Sequence, residues 1–279
     1  MGCGYELSGL SVRGRCPECG LAVRATILYV VDPQADAFRP MRRPRLTAWA
    51  VTIWPAAALI AVLASWSPRL ADLYDLFFIS PSPLPSDVGW TPAAAFLVSG
   101  LAACALIRPV PETTRRKAIA GAVGCLLYVP LIAVVWWLHT TYDPIRPAPY
   151  TIQALADGER LLLRFLLSAC GVAILLCLRP NARLLVARSL VLRTGRVDRQ
   201  TIMATVAAIG LTVVGDLLRL MALGLPRAHG DFLDLLGVML VMIGSLLVTL
   251  AVAGAVLDSW RIRRAILIPS PSLRQLLRE

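Results

Sequence analysis

Charge is scarce in this chain. Asp, Glu, Lys and Arg together make up 16% of its 279 residues, against about 25% in a soluble domain. That is too little to clothe a water-facing surface of this size. Lysine is all but missing: Lys117 is the only one, so the net charge of +11 rests on arginine. This bias, alongside many alanines, is the kind that a GC-rich bacterial genome produces. Histidine occurs only at His139 and His229. No H-E-x-x-H zinc-protease helix, no P-loop and no dinucleotide fingerprint is present.

What the chain has instead is apolar length. Hydrophobic residues make up 57% of it and the mean hydropathy is +0.69. The run Leu235–Leu257 is 23 residues without a charge. As a helix it spans roughly 34 Å, slightly more than a hydrocarbon core of about 30 Å. With no water there for its backbone groups, such a segment must be helical. Five further runs read the same way: Leu46–Trp66, Thr91–Ile107, Ala118–Leu138, Arg160–Leu178 and Thr201–Leu223. The expectation is an all-α membrane protein, a six-helix transmembrane bundle over residues 46–257. It is preceded by a small module (1–31) and a basic linker (32–45), and followed by a tail (258–279). Pro55 and Pro130 predict kinks. Ala95, Ser99 and Ala103 form a small-residue stripe suited to close helix packing. Leu70, Leu73, Tyr74, Phe77 and Phe78 recur at helical spacing and predict a separate short helix in the interface. Pro81, Pro83 and Pro85 then enforce an extended segment. Leu184–Leu192 is apolar enough to lie on the membrane surface.

Arginine sets the orientation. With the N-terminus in the cytoplasm, 22 of the 28 basic residues fall on that side. Four (Arg69, Arg146, Arg160, Arg227) fall outside, and Arg164 and Arg219 fall within spans. The positive-inside rule therefore predicts six spans with both ends cytoplasmic, in a bacterial inner membrane. The arginine row over 179–199 has no interleaved aromatics for base stacking, which argues against nucleic acid. Both histidines then fall in outer loops, so Ser168 and Ser245 lack the neighbouring base that an intramembrane serine protease needs. No two acids face a common depth, which removes an aspartyl protease.

Two constellations remain. The first is Cys3-Gly4-Tyr5-Glu6-Leu7 followed by Arg15-Cys16-Pro17-Glu18-Cys19-Gly20. Thiolates at C-x2-C spacing suit tetrahedral zinc. Pro17 presets one backbone angle of the turn, and Gly20 permits its tight exit. In the reducing cytoplasm such thiols bind metal more readily than they form disulfides. Val23, Thr26, Ile27, Val30 and Val31 predict one or two closing strands. This stretch resembles the short N-terminal zinc ribbons carried by many bacterial membrane proteins of unknown function, C-x-x-C-G-Y-x-L-x-G-L then R-C-P-x-C-G. Eleven positions match, from Cys3, Gly4 and Tyr5 to Cys19 and Gly20. The resemblance covers about a tenth of the chain and implies a structural metal module without an activity. Cys3, Cys16 and Cys19 supply three ligands. The fourth is expected from a cysteine at position 0 or earlier; the alternatives are a weaker, open site completed by the N-terminal amine, Glu6 or Glu18, and a ribbon that binds no metal. Cys104, Cys125, Cys170 and Cys177 fall in spans and read as small packing residues.

The second constellation is Arg164, Asp216 and Arg219, the charges inside spans. Asp216 and Arg219 are three apart on one helix face and are expected to pair, with Arg164 at similar depth. The favoured reading is a non-catalytic membrane protein whose cytosolic ribbon meets a protein partner. The alternatives are a transporter using the Arg164/Asp216/Arg219 cluster and a lipid-acting enzyme.

Overall fold

In the computed structural model the described residues are 3, 5–11, 13–20, 22–23, 41, 43–78, 89–109, 113–143, 157–191 and 201–267. The expected Pro81–Pro85 segment, most of the 32–45 linker and the strand residues 24–31 lie outside them. Among the described residues seven α-helices follow in order: α1 (Pro44–Phe77), α2 (Thr91–Cys104), α3 (Arg115–Leu126), α4 (Tyr128–Trp137), α5 (Gly158–Val191), α6 (Thr201–Ala222) and α7 (Arg227–Leu267). A π-helical turn, Leu138–Tyr142, extends α4. Five helical stretches among the described residues are long and apolar enough to cross a membrane: Pro44–Pro68, Arg115–Tyr142, Gly158–Val186, Thr201–Ala222 and His229–Arg264. Thr91–Cys104 is apolar but only 14 residues long.

Three helices run further than the apolar runs suggest. The helix expected over Leu70–Phe78 is not separate; up to Phe77 it is the last part of α1, which passes Pro55 and Pro68 unbroken. Pro68 has no N–H to offer the carbonyl of Ala64, and the Ser67 hydroxyl takes that carbonyl instead, at 2.8 Å. A proline whose orphaned acceptor is satisfied locally need not end a helix. The surface segment expected over Leu184–Leu192 is likewise the continuation of α5 through Pro180, with Leu185 fully buried. Asp258–Leu267, expected in the tail, completes α7. Pro130 does act on its helix: Leu127 separates α3 from α4, where the missing N–H of Pro130 would have bonded Leu126.

Glycines set the helix order. A Cβ on Gly215 would lie 2.6 Å from the Gly237 carbonyl, one on Gly237 2.7 Å from the Gly215 carbonyl, and one on Gly244 2.9 Å from the Thr212 nitrogen. The backbones of α6 and α7 therefore touch as an antiparallel pair, the packing that small residues permit in lipid. α5 lies antiparallel to α6, with Gly158 at Leu223 and Gly171 at Ile209. α1, α2 and α4 are tied by a closed polar triad. The Ser99 hydroxyl donates to the Trp54 carbonyl (2.9 Å), the Tyr128 hydroxyl donates to Ser99 (3.1 Å), and the Trp54 indole donates to Tyr128 (2.8 Å). Gly100 makes room for the Tyr128 ring, which a Cβ would meet at 2.9 Å.

The bundle has two distinct ends. At one, Ala48, Val51, Leu106, Leu185, Ile262 and Ile266 form a core where α1 begins and α5 and α7 finish. At the other, Gly89 sits against the His139 carbonyl. Residues 89–106 thus reach from one end to the other. Exposed apolar side chains cover the outside, among them Leu97, Leu101, Leu162, Met242 and Leu250.

Candidate functional site

The three N-terminal cysteines converge. The Cys3 sulfur lies 3.6 Å from that of Cys16 and 3.4 Å from that of Cys19, and all three fall within 4.8 Å of one another. A tetrahedral zinc with Zn–S near 2.3 Å sets its sulfurs roughly 3.8 Å apart, so the spacing fits three corners of such a site. Two glycines with positive φ shape the module, Gly9 at 82° and Gly20 at 68°. Gly20 also returns its N–H to the Cys16 carbonyl at 2.9 Å, closing the Cys16–Cys19 turn. Cys16 is buried, while Cys3 and Cys19 face solvent. The Cys16 thiol titrates below its ordinary 9.0, first because the Cys19 N–H points at its sulfur and then, against some desolvation, because the Glu18 N–H does too. Cys3 moves the other way. The Tyr5 N–H favours its thiolate, but the neighbouring sulfurs of Cys19 and Cys16 and some burial outweigh it. Crowded sulfurs that resist carrying negative charge together are what a bound cation relieves. A single antiparallel bridge, Arg15 to Ala22, closes the module. Among the described residues no longer strand is present.

The intramembrane charges are brought together differently from the expectation. Arg164 Nε lies 3.2 Å from Asp216 Oδ2, and Asp216 is 1% exposed. Arg219 does not pair with Asp216. It turns to Asp234 on α7, with Nε to Oδ1 at 2.8 Å. Sharing a face three residues apart was a sufficient condition for contact in an isolated helix. Here each charge finds a partner on a neighbouring helix instead. Register explains the Arg164 pair: Gly158 meets Leu223 and Gly171 meets Ile209, so Arg164 falls opposite Asp216. Asp234 was missed because it directly precedes the uncharged run from Leu235. It lies within the helix because α7 begins at Arg227.

A third polar group surrounds the same end. His139, expected in a loop, belongs to the π-turn, and its Nδ1 lies 3.1 Å from Asp143 Oδ2. Arg160 also contacts Asp143 and lies over the Tyr142 ring, and the Tyr142 hydroxyl donates to Asp157. His229, the other histidine, is in the first turn of α7 and not in a loop. Among the described residues, the Asp216 end of the bundle therefore holds three Arg–Asp ion pairs, Arg164–Asp216, Arg219–Asp234 and Arg160–Asp143. No family model, no curated protein and no solved structure matches the chain.

Proposed function

We propose that the chain is a six-pass protein of the bacterial inner membrane with both ends in the cytoplasm, and that its N-terminal module is a zinc-binding docking element for a cytosolic protein. The observation that carries this is the convergence of the Cys3, Cys16 and Cys19 sulfurs within 4.8 Å. Zinc at these thiolates would help fold the short 1–31 module, in which Cys16 and Val23 are the buried apolar side chains among the described residues. Six crossings are supported by residues 89–106, which accompany the long helices from end to end although α2 itself is short. The arginine distribution supports the orientation. The test is bound zinc per full-length chain after dialysis against a mild chelator, alongside a pull-down from cytosol. Wild type should retain zinc and a protein partner, and Cys16→Ser should lose both. Retention of the partner by the zinc-free variant would defeat the docking role, and a zinc-free wild type would defeat the metal site.

A second reading, a permeation pathway for a charged solute, is favoured by one observation, the burial of Asp216 against Arg164. It ranks lower because the neighbouring Arg219 is itself neutralised by Asp234. It predicts that a solute stabilises the purified protein and that Asp216→Asn removes this effect while the fold persists.

A further inference from the structure

The exposed faces of α1 and α7 carry a matched pattern. On α1 the exposed Leu63, Ile60, Ile53 and Trp49 follow one face, and one turn further on is the exposed Arg45. On α7 the exposed Leu246, Leu250, Leu257 and Trp260 likewise follow one face among its exposed apolar residues, and one turn further on is the exposed Arg264. The two helices are antiparallel neighbours at this end, where Ala48 and Val51 pack with Ile262 and Ile266. Both stripes therefore run in the same direction, from aliphatic to tryptophan to arginine. Arg263 closes the gap between them. Its guanidinium lies 3.9 Å from the Trp49 ring centroid and 5.0 Å from that of Trp260. Stacking fixes the plane of the guanidinium and leaves its N–H edge to make bidentate bonds with an oxyanion. Among the described residues no carboxylate pairs with Arg263.

The geometry points to a binding site for one anionic phospholipid in the α1–α7 groove, its phosphate held by Arg263, Arg45 and Arg264. A free phosphate shares the headgroup chemistry but has no use for the rest of the pattern. The aliphatic stripes match two acyl chains, the tryptophans sit at the depth such rings prefer, and the arginines follow at headgroup level. A diffuse excess of positive charge would not need an arginine held between two exposed tryptophans. The site is separate from the thiolates, and it rests on the membrane reading of the bundle.

The test is lipid retention by the full-length protein, purified in a mild detergent and offered phosphatidylglycerol or phosphatidylcholine, read by native mass spectrometry. Wild type should retain phosphatidylglycerol about ten-fold better. Arg263→Gln should cut that preference about five-fold. The double substitution Arg45→Gln with Arg264→Gln, at two exposed side chains, should do the same with no demand on folding. Arg116→Gln removes one exposed charge from α3 and should change the preference less than about two-fold. Equal retention of both lipids by wild type would overturn the site, as would an Arg116→Gln loss as large as that of Arg263→Gln. Displacement of phosphatidylglycerol by equimolar inorganic phosphate would overturn the lipid as its occupant. Recovery of the chain in solution without detergent would instead fail the membrane reading itself.

Discussion

Asp216 shows how much one side chain depends on its partner. It is almost fully enclosed and faces Arg164 at 3.2 Å. Breaking a buried pair from one side leaves the other charge uncompensated, at a cost of about 3 kcal/mol or more. Asp216→Asn should therefore lower the unfolding midpoint of the purified protein sharply, and adding Arg164→Gln should recover part of the loss. A double variant less stable than Asp216→Asn alone would mean that the pair is not the source of the effect. Tyr128 is a smaller case. Tyr128→Phe removes the acceptor of the Trp54 indole and the donor to Ser99, so a loss of about 1 kcal/mol is expected in the same assay. The thiolates make a prediction of opposite character. Protons compete with metal for sulfur, so zinc content should fall as pH is lowered and recover on return to neutrality. Zinc titration with a chromogenic chelator checks this. Cys16 and Cys19 were legible from spacing because C-x2-C is a local geometry, whereas Cys3 was assigned through the resemblance of its Cys-Gly-Tyr context to the zinc ribbons. The fourth ligand has no such local signature.

At the level of elements, the five glycines in the apolar stretches of α6 and α7 fall into two classes. Gly215, Gly237 and Gly244 face backbone at under 3 Å, whereas Gly210 and Gly254 have nothing within 4 Å of an added Cβ. Gly237→Ala should push the helices apart and destabilise the bundle by about 1–3 kcal/mol. Gly210→Ala and Gly254→Ala should be neutral or stabilise by up to about 1 kcal/mol, from helix propensity alone. Unfolding midpoints of the three variants give the comparison, and equal effects would mean that α6 and α7 do not meet through these glycines. The composition of the two helices does not sort these glycines, since all five sit in equally apolar surroundings. The prolines teach the same lesson. Pro68 and Pro130 look alike in sequence, yet only Pro130 divides its helix. Pro68 has Ser67 beside it to take the carbonyl it orphans.

For the whole molecule, the arginine asymmetry makes the orientation testable. Reporter fusions after Arg116 and Arg196 should read as cytoplasmic, and fusions near Asp87 and Arg146 as external. A cytoplasmic reading at Asp87 would place both ends of α2 on one side and leave five crossings. In the expected orientation the end of the bundle holding Asp216, Asp234 and Asp143 faces outward. The end holding Arg45, Arg263 and Arg264 then faces the anionic cytoplasmic leaflet, as the lipid site in the α1–α7 groove requires.

The sequence by itself determines which segments are helical and apolar, because a bilayer selects on composition and length with little regard to neighbours. Thr201–Leu223 was read within one residue of α6, and Leu235–Leu257 lies wholly inside α7. It also marks the charges that had to be neutralised, since an ion in hydrocarbon needs a partner wherever it sits. Which partner each one takes was decided only by tertiary structure. Pairing depends on helix rotation and register, and these follow from backbone contacts such as Gly215 with Gly237 and Gly158 with Leu223. Those contacts carry Arg164 to Asp216 and release Arg219 to Asp234, a division that no spacing along a single helix contains.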